Sequence, residues 1–245
     1  MKYSRKKSPK QWDSLISAED GLAMFNEIAN YYDRTNKILS LGLDGFWRRR
    51  AVTRLAPEPA KLYLDAGCGT GDVSILLAKR SPGSRVIGID PSEAMLRVGI
   101  SKVAKAGLSE KISMLQGNVL DLQFSDHCFD GVITAFCIRN VTDRKRALAE
   151  IFRVTRAGGL LVILELIEPD GMMKPLFRLY SKMVIPLVTA LMSSVPAYRY
   201  LSDSMADFPR PDAWLRLMEE AGFTNTESKP LTGGITTIFV GRTPL

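Results

Sequence analysis

The chain is 245 residues long, enough to bury one good core with appendages. Its 46% apolar and 24% charged residues are ordinary for a folded protein. Three cysteines (Cys68, Cys128, Cys137) without a C-x-x-C pair, and a single His127, argue against disulfides, a metal site and a Ser-His-Asp triad. The net charge of +7 sits mainly in residues 1–54, which carry 11 Lys/Arg against 6 Asp/Glu. Such a surplus suits a nucleic acid, an anionic membrane or a solubilising tail.

Residues 1–17 read as a basic flexible N-terminus without the apolar segment of a signal peptide, so the compartment reads as cytoplasmic. Everything from 18 to 245 reads as one domain. A helix over 18–29 has Leu22, Phe25, Ile28 and Ala29 on one face. Tyr31, Tyr32, Asp33 and Asn36 then crowd a segment of weak periodicity, and 18–56 reads as a helical cap with polar tips over a substrate. Pro57 and Pro59 separate the cap from the first strand at 61–66. Strands over 85–90, 111–116, 129–135 and 158–167 alternate with helices over 71–80, 92–105 and 143–154. That alternation predicts an α/β, doubly wound, Rossmann-like parallel sheet.

Residues 172–204 interrupt it as an inserted lid. Lys174, Arg178 and Lys182 share one helical face, with Met173, Leu176, Phe177, Tyr180 and Met183 on another. The helix suits an anionic membrane surface or the roof of a greasy site. The uncharged run 183–195 is too short to cross a bilayer. A helix over 211–221 ending at Gly222, and strands over 223–230 and 235–241, complete seven strands with the last antiparallel.

The most informative stretch is Leu62–Asp72, an apolar strand that empties into Gly67, Gly69 and Gly71 before a helix. Missing Cβ atoms and free helix-start N–H groups let a ligand approach the backbone. Asp90 ends the next strand, where this architecture places the carboxylate that takes a ribose diol. The pattern is D-x-G-x-G-x-G rather than G-x-G-x-x-G, and Asp65 is out of place beside a pyrophosphate. An acid there suits a sulfonium and an α-amino group, so the stretch resembles motif I of class I S-adenosylmethionine-dependent methyltransferases.

Ligands of such sheets sit beyond the carboxyl ends of the strands. Asp65 to Gly71, Asp90, Asn118-Val119 and Ala135 to Asn140 all fall there. Asn118 is expected at the adenine edge as donor and acceptor. Met95 and Leu96 either flank the adenine or belong to the helix core.

Tyr32-Asp33-Arg34-Thr35-Asn36 through Ser40-Leu41-Gly42 to Trp47-Arg48 resembles the opening signature of the ubiquinone/menaquinone biosynthesis C-methyltransferases. Phe136 to Val141, Tyr198-Arg199-Tyr200-Leu201 and Leu231-Thr232-Gly233-Gly234 resemble later blocks of that family, and the likeness covers residues 22–242. It implies a class I methyltransferase fold, S-adenosyl-L-methionine as cofactor, and C-methylation of a polyprenylated quinol such as demethylmenaquinol. Carried over, Thr70, Asp90, Asn118 and Val119 contact the cofactor, with Ala135 near its methionine end. The chain departs from the family pattern at Asn118-Val119 (Asp-Ala), Ala135 (Ser), Asp44-Gly45 (His-Arg) and Arg156-Ala157 (Lys-Pro).

Tyr32, Arg139, Asn140, Tyr198 and Tyr200 are the catalytic candidates. Arg139 would stabilise a phenolate and Asn140 would orient a quinol oxygen. His127 reads as surface. The partner expected is the polyprenyl quinol. A peripheral contact at the inner face of the membrane and a homodimer are left open, and no nucleic acid is expected. The alternatives are methylation of another lipophilic phenol and a non-catalytic subunit of a quinone-synthesis complex.

Overall fold

A computed structural model describes residues 18–191, 204, 205 and 207–245. Three helices come first: α1 (Ala18–Ile28), α2 (Tyr32–Leu39) and α3 (Asp44–Leu55). Then follow β1 (Leu62–Ala66), α4 (Asp72–Arg80), β2 (Arg85–Asp90), α5 (Glu93–Lys105) and β3 (Ile112–Gln116). The second half holds β4 (Phe129–Ala135), α6 (Arg144–Val154), β5 (Thr155–Leu166) and α7 (Met173–Leu191). It closes with α8 (Pro211–Glu220), β6 (Thr224–Leu231) and β7 (Thr236–Arg242).

The seven strands form one sheet in the order β3-β2-β1-β4-β5-β7-β6, with β7 antiparallel to both neighbours. The order reverses between β1 and β4, where the diverging crossovers leave a crevice at the carboxyl ends. Central strands β4 and β5 are buried on both faces, which is why their apolar runs are nearly continuous rather than alternating. On one face Phe129, Val132 and Ile163 pack under Leu148 and Ile151 of α6 and Trp214 of α8. On the other, Val162, Leu164 and Val240 pack under Trp47, Val52 and Leu55 of α3.

Local capping agrees with the sequence. Ser92 Oγ accepts from Met95 N at 3.1 Å to start α5, and Asp143 Oδ1 accepts from Arg146 N at 2.9 Å to start α6. One strand bound needs correction. Strand β5 starts at Thr155, not 158, because Thr155 already pairs with Phe129 before the register shifts. The 30–56 segment is regular: it forms α2 and α3. Helix α2 has no fully buried residue because its inner side chains face a cavity instead of the core, which is why its periodicity is weak. Residues 1–17, the Lys182 side chain, Tyr198 and Tyr200 lie outside the described set.

Candidate active site

Two cavities meet at the carboxyl ends of β1, β2 and β4. The first is a cleft along the glycine loop. Gly67, Asp90, Val119, Cys137 and Asn140 line it, roofed by Leu22 and Phe25 of α1. Helix α1 is held there by Asn26, whose Oδ1 accepts from Ser92 Oγ at 2.7 Å.

Asp90 is fastened by two backbone N–H groups, Gly69 to Oδ2 and Ser92 to Oδ1, both at 2.9 Å. Burial pushes its pKa up, and those N–H groups offset part of the rise. Each oxygen keeps a lone pair beyond these bonds, so the carboxylate is oriented yet still able to accept from a diol. Asn140 Oδ1 is buried and has no hydrogen-bond partner among the described residues, an acceptor suited to a ligand donor. An anchored acid at the end of β2, apolar walls and an orphan acceptor fit an amine-bearing nucleoside without phosphates.

Of the remaining expected cofactor residues, only Asn118 is among those lining the cleft. Gly69 and Gly71 shape the loop, the latter starting α4 at φ 81°. The Thr70 side chain turns away from the cleft: its Oγ1 donates to Asp33 Oδ1 at 2.5 Å. Lys102 Nζ gathers Asp33 and Asp72, each at 2.5 Å. Asp33, unassigned from sequence, thus ties α2 to the glycine loop. Met95 and Leu96 are both helix core, and Leu22 and Phe25 take the apolar role along the cleft. Ala135 is half-buried against the core and lines neither cavity. Asn118 does lie on the cleft, but its Oδ1 accepts from Leu120 N at 2.9 Å, so its acceptor is largely committed to its own turn.

Asp65 is 1% exposed, beneath the loop rather than facing a ligand, and accepts from Ser74 Oγ at 2.6 Å. Burial pushes its pKa from 3.8 to about 7, the Ser74 bonds only partly offsetting it. A folded-state pKa above the unfolded one stabilises fully below pH ~4, and that contribution is lost as pH rises through ~7. Asp65→Asn should therefore gain stability over the parent as pH rises from 5 to 8, by at most ~4 kcal/mol. Thermal melts of the unliganded proteins check this; a melting-point difference constant across that range would refute it.

The second cavity, of about 390 Å³, opens between α2, α3 and α7. Met173, Leu176, Phe177, Leu39 and Trp47 make it greasy, while Tyr32, Asp44, Arg48 and Arg139 supply polar groups. Met173, Leu176, Phe177 and Tyr180 of α7 line it, and Tyr180 Oη donates to Leu39 O at 2.8 Å. Glu168 holds the other face through Lys174 at 3.7 Å and Arg178 at 3.1 Å. Met183 points out instead, 64% exposed. Trp47 Nε1 donates to Thr232 Oγ1 at 2.8 Å, so the Leu231–Gly234 turn braces the cavity floor.

The segment Phe136–Asn140 is the wall between the cavities. Phe136 and Arg139 face the greasy side; Cys137 and Asn140 face the cleft. Asn140, expected to orient the acceptor, is thus on the cofactor side. Burial pushes the Cys137 thiol up to about 12, which makes it an inert wall atom. Arg139 Nη1 donates to Glu165 Oε1 at 2.6 Å and to Phe136 O at 2.8 Å, and its backbone N reaches Glu165 Oε2 at 3.1 Å. Glu165 was not anticipated. Its signal was an acid inside the apolar run of β5, a buried charge that requires a partner. Burial raises the Tyr32 pKa, with Arg139 and Arg48 pulling it partly back, so Tyr32 stays a neutral donor.

The ubiE/COQ5 methyltransferase family pattern matches residues 17–243. The chain belongs to that family. It is 40% identical over 241 residues to a demethylmenaquinone methyltransferase of Bacteroides fragilis, covering 98% of each chain. A ubiquinone/menaquinone biosynthesis C-methyltransferase of Geotalea daltonii is 41% identical over 220 residues, covering 89% of this chain and 94% of that one. In fold, it is similar to a SAM-dependent methyltransferase of Thermotoga maritima, with TM-score 0.64 at 20% identity, over 90% of this chain and 98% of that one. The family member described here is therefore an S-adenosylmethionine-dependent methyltransferase with a seven-stranded Rossmann-like sheet.

Proposed function

We propose that the chain methylates a ring carbon of a polyprenylated quinol, with demethylmenaquinol the first candidate. The observation that carries this is the greasy cavity holding Arg139, which shares the Phe136–Asn140 segment with the cofactor cleft. S-adenosylmethionine supplies the methyl group. Asp90, Gly67, Val119 and Asn140 would hold it in the cleft. Arg139 donates to the ring oxygen beside the reacting carbon and lowers its pKa, so that carbon attacks the methyl as the S–CH₃ bond breaks, S-adenosylhomocysteine is released, and the displaced ring proton passes to water. Tyr32 donates from α2, and the walls hold the ring in line, a positioning effect of several kcal/mol. Anaerobic incubation with demethylmenaquinol and demethylated benzoquinol analogues tests the reading. A singly methylated quinol and S-adenosylhomocysteine are expected. Turnover confined to simple phenols would replace it with the lipophilic-phenol alternative.

Asp90→Ala should weaken S-adenosylmethionine binding roughly 100-fold, since each hydrogen bond to a charged acceptor contributes about 1.5–3 kcal/mol. Calorimetry with a parallel melt reads this, and unchanged affinity would take Asp90 out of the site.

A prenyl tail needs a hydrocarbon reservoir. Leu41 is 72% exposed at the cavity mouth, and Leu176, Leu179 and Met183 make an exposed apolar stripe along α7. No helix among the described residues is long and apolar enough to cross a membrane. The stripe suits shallow insertion into a leaflet, with Lys174 and Arg178 on another face of α7, paired to Glu168. Leu179→Glu should cut co-sedimentation with anionic vesicles several-fold; equal pelleting would count against this face.

A further inference from the structure

The polar groups around the greasy cavity divide by what they can offer a ring. Trp47 Nε1 and Tyr180 Oη donate to Thr232 and Leu39 and are occupied by the protein itself. Arg139 and Arg48 carry donors only. Asp44 is the one carboxylate among the described residues that line this cavity. It stands at the first turn of α3 with a side chain 17% exposed. Ser40 Oγ donates to its Oδ1 at 3.1 Å, and Arg48 Nη1 donates to its Oδ2. A carboxylate has about four acceptor positions. Two are filled, which fixes the group's orientation, and capacity is left for a donor arriving in the cavity.

A quinol and its quinone are nearly the same shape. They differ at two oxygens: the reduced ring presents O–H donors, the oxidised ring presents carbonyl acceptors. A carboxylate accepts from the first and repels the second, because two lone pairs then face each other in a poorly hydrated space. Arginines discriminate in neither direction, since a hydroxyl oxygen and a carbonyl oxygen both accept. The anchored position of Asp44 therefore has a consequence that the rest of the cavity lacks.

We propose that Asp44 is the specificity-determining residue that selects the reduced ring by accepting a hydrogen bond from one of its hydroxyls. This rests on the quinol reading above and deepens it. The selection matters chemically because only the reduced ring has a nucleophilic carbon. A cavity that took the oxidised ring equally well would be blocked by it. Arg139 serves the oxygen beside the reacting carbon, and Asp44 serves a hydroxyl from the α3 side of the same cavity.

The test is anaerobic calorimetry on the full chain saturated with S-adenosylhomocysteine. The ligands are a short-chain 2-prenyl-1,4-naphthoquinone and the same compound reduced to its quinol. The parent protein should prefer the quinol roughly 100-fold, as expected when one buried charged acceptor gains or loses its donor. Asp44→Asn presents an amide that donates as well as accepts, so the preference should fall below about 3-fold, chiefly through tighter quinone binding. Asp44→Glu keeps the charge and should keep the preference for the quinol, a pattern that simple loss of packing would not produce. Equal binding of both rings by the parent, or an undiminished preference in Asp44→Asn, overturns the proposal. Failure of the parent to bind either ring while S-adenosylhomocysteine binds normally removes the quinol reading itself.

Discussion

Arg139→Ala should abolish most methyl transfer, by roughly 10²–10³-fold as for loss of one donor to a developing oxyanion, while cofactor affinity stays within a few-fold of the parent. The separation follows from the wall. Arg139 faces the greasy cavity, and the cleft is lined by its neighbours Cys137 and Asn140. The same substitution should cost stability. Glu165 is 0% exposed, takes Arg139 Nη1 at 2.6 Å, and accepts otherwise from backbone N–H groups. Removing one member of a buried pair typically costs about 3–5 kcal/mol, since the other charge is left uncompensated. The double variant Arg139→Met with Glu165→Leu removes both charges and should melt closer to the parent while remaining inactive. Single-turnover rates, cofactor calorimetry and thermal melts on the two variants separate catalysis from folding. Near-normal turnover in Arg139→Ala would remove Arg139 from the chemistry.

Gly67→Ala should lose S-adenosylmethionine binding and several degrees of melting temperature together. Gly67 has φ 75°, where a Cβ costs about 1–2 kcal/mol. A Cβ there would also lie 2.1 Å from Cys137 Sγ and 2.6 Å from Cys137 Cβ, inside the wall itself. Overpacking of this kind adds about 1–3 kcal/mol. Adding Cys137→Ala removes the sulfur but not the Cβ contact or the backbone strain, so it should restore stability only in part. Normal cofactor affinity in Gly67→Ala would mean that loop and wall do not close on one another as tightly as this geometry requires.

These two residues show how far local pattern reaches. The need for glycine at 67 was legible, because a strand that stops at three alternating glycines before a helix leaves room for little besides a close ligand. The cause of the crowding was not, since Cys137 is 70 residues away and carries no periodic signal. Arg139 stood out within the Phe136–Val141 block, which resembles a family block after β4. Its counter-ion Glu165 sits one strand over, and only the parallel pairing of β4 with β5 brings the two together.

The amino-acid order by itself determined the alternation of strands and helices, the glycine loop and the acid that closes β2. Each of these is written in spacings of two to four residues, which report whether a side chain is inside or outside. Only the tertiary structure decided that Thr70 turns toward Asp33 and Lys102, that Asn140 and Arg139 back onto different cavities, and that Asp44 lines the greasy one. Burial period says how deep a side chain lies. Which of two adjoining spaces it enters depends on elements that arrive from elsewhere in the chain.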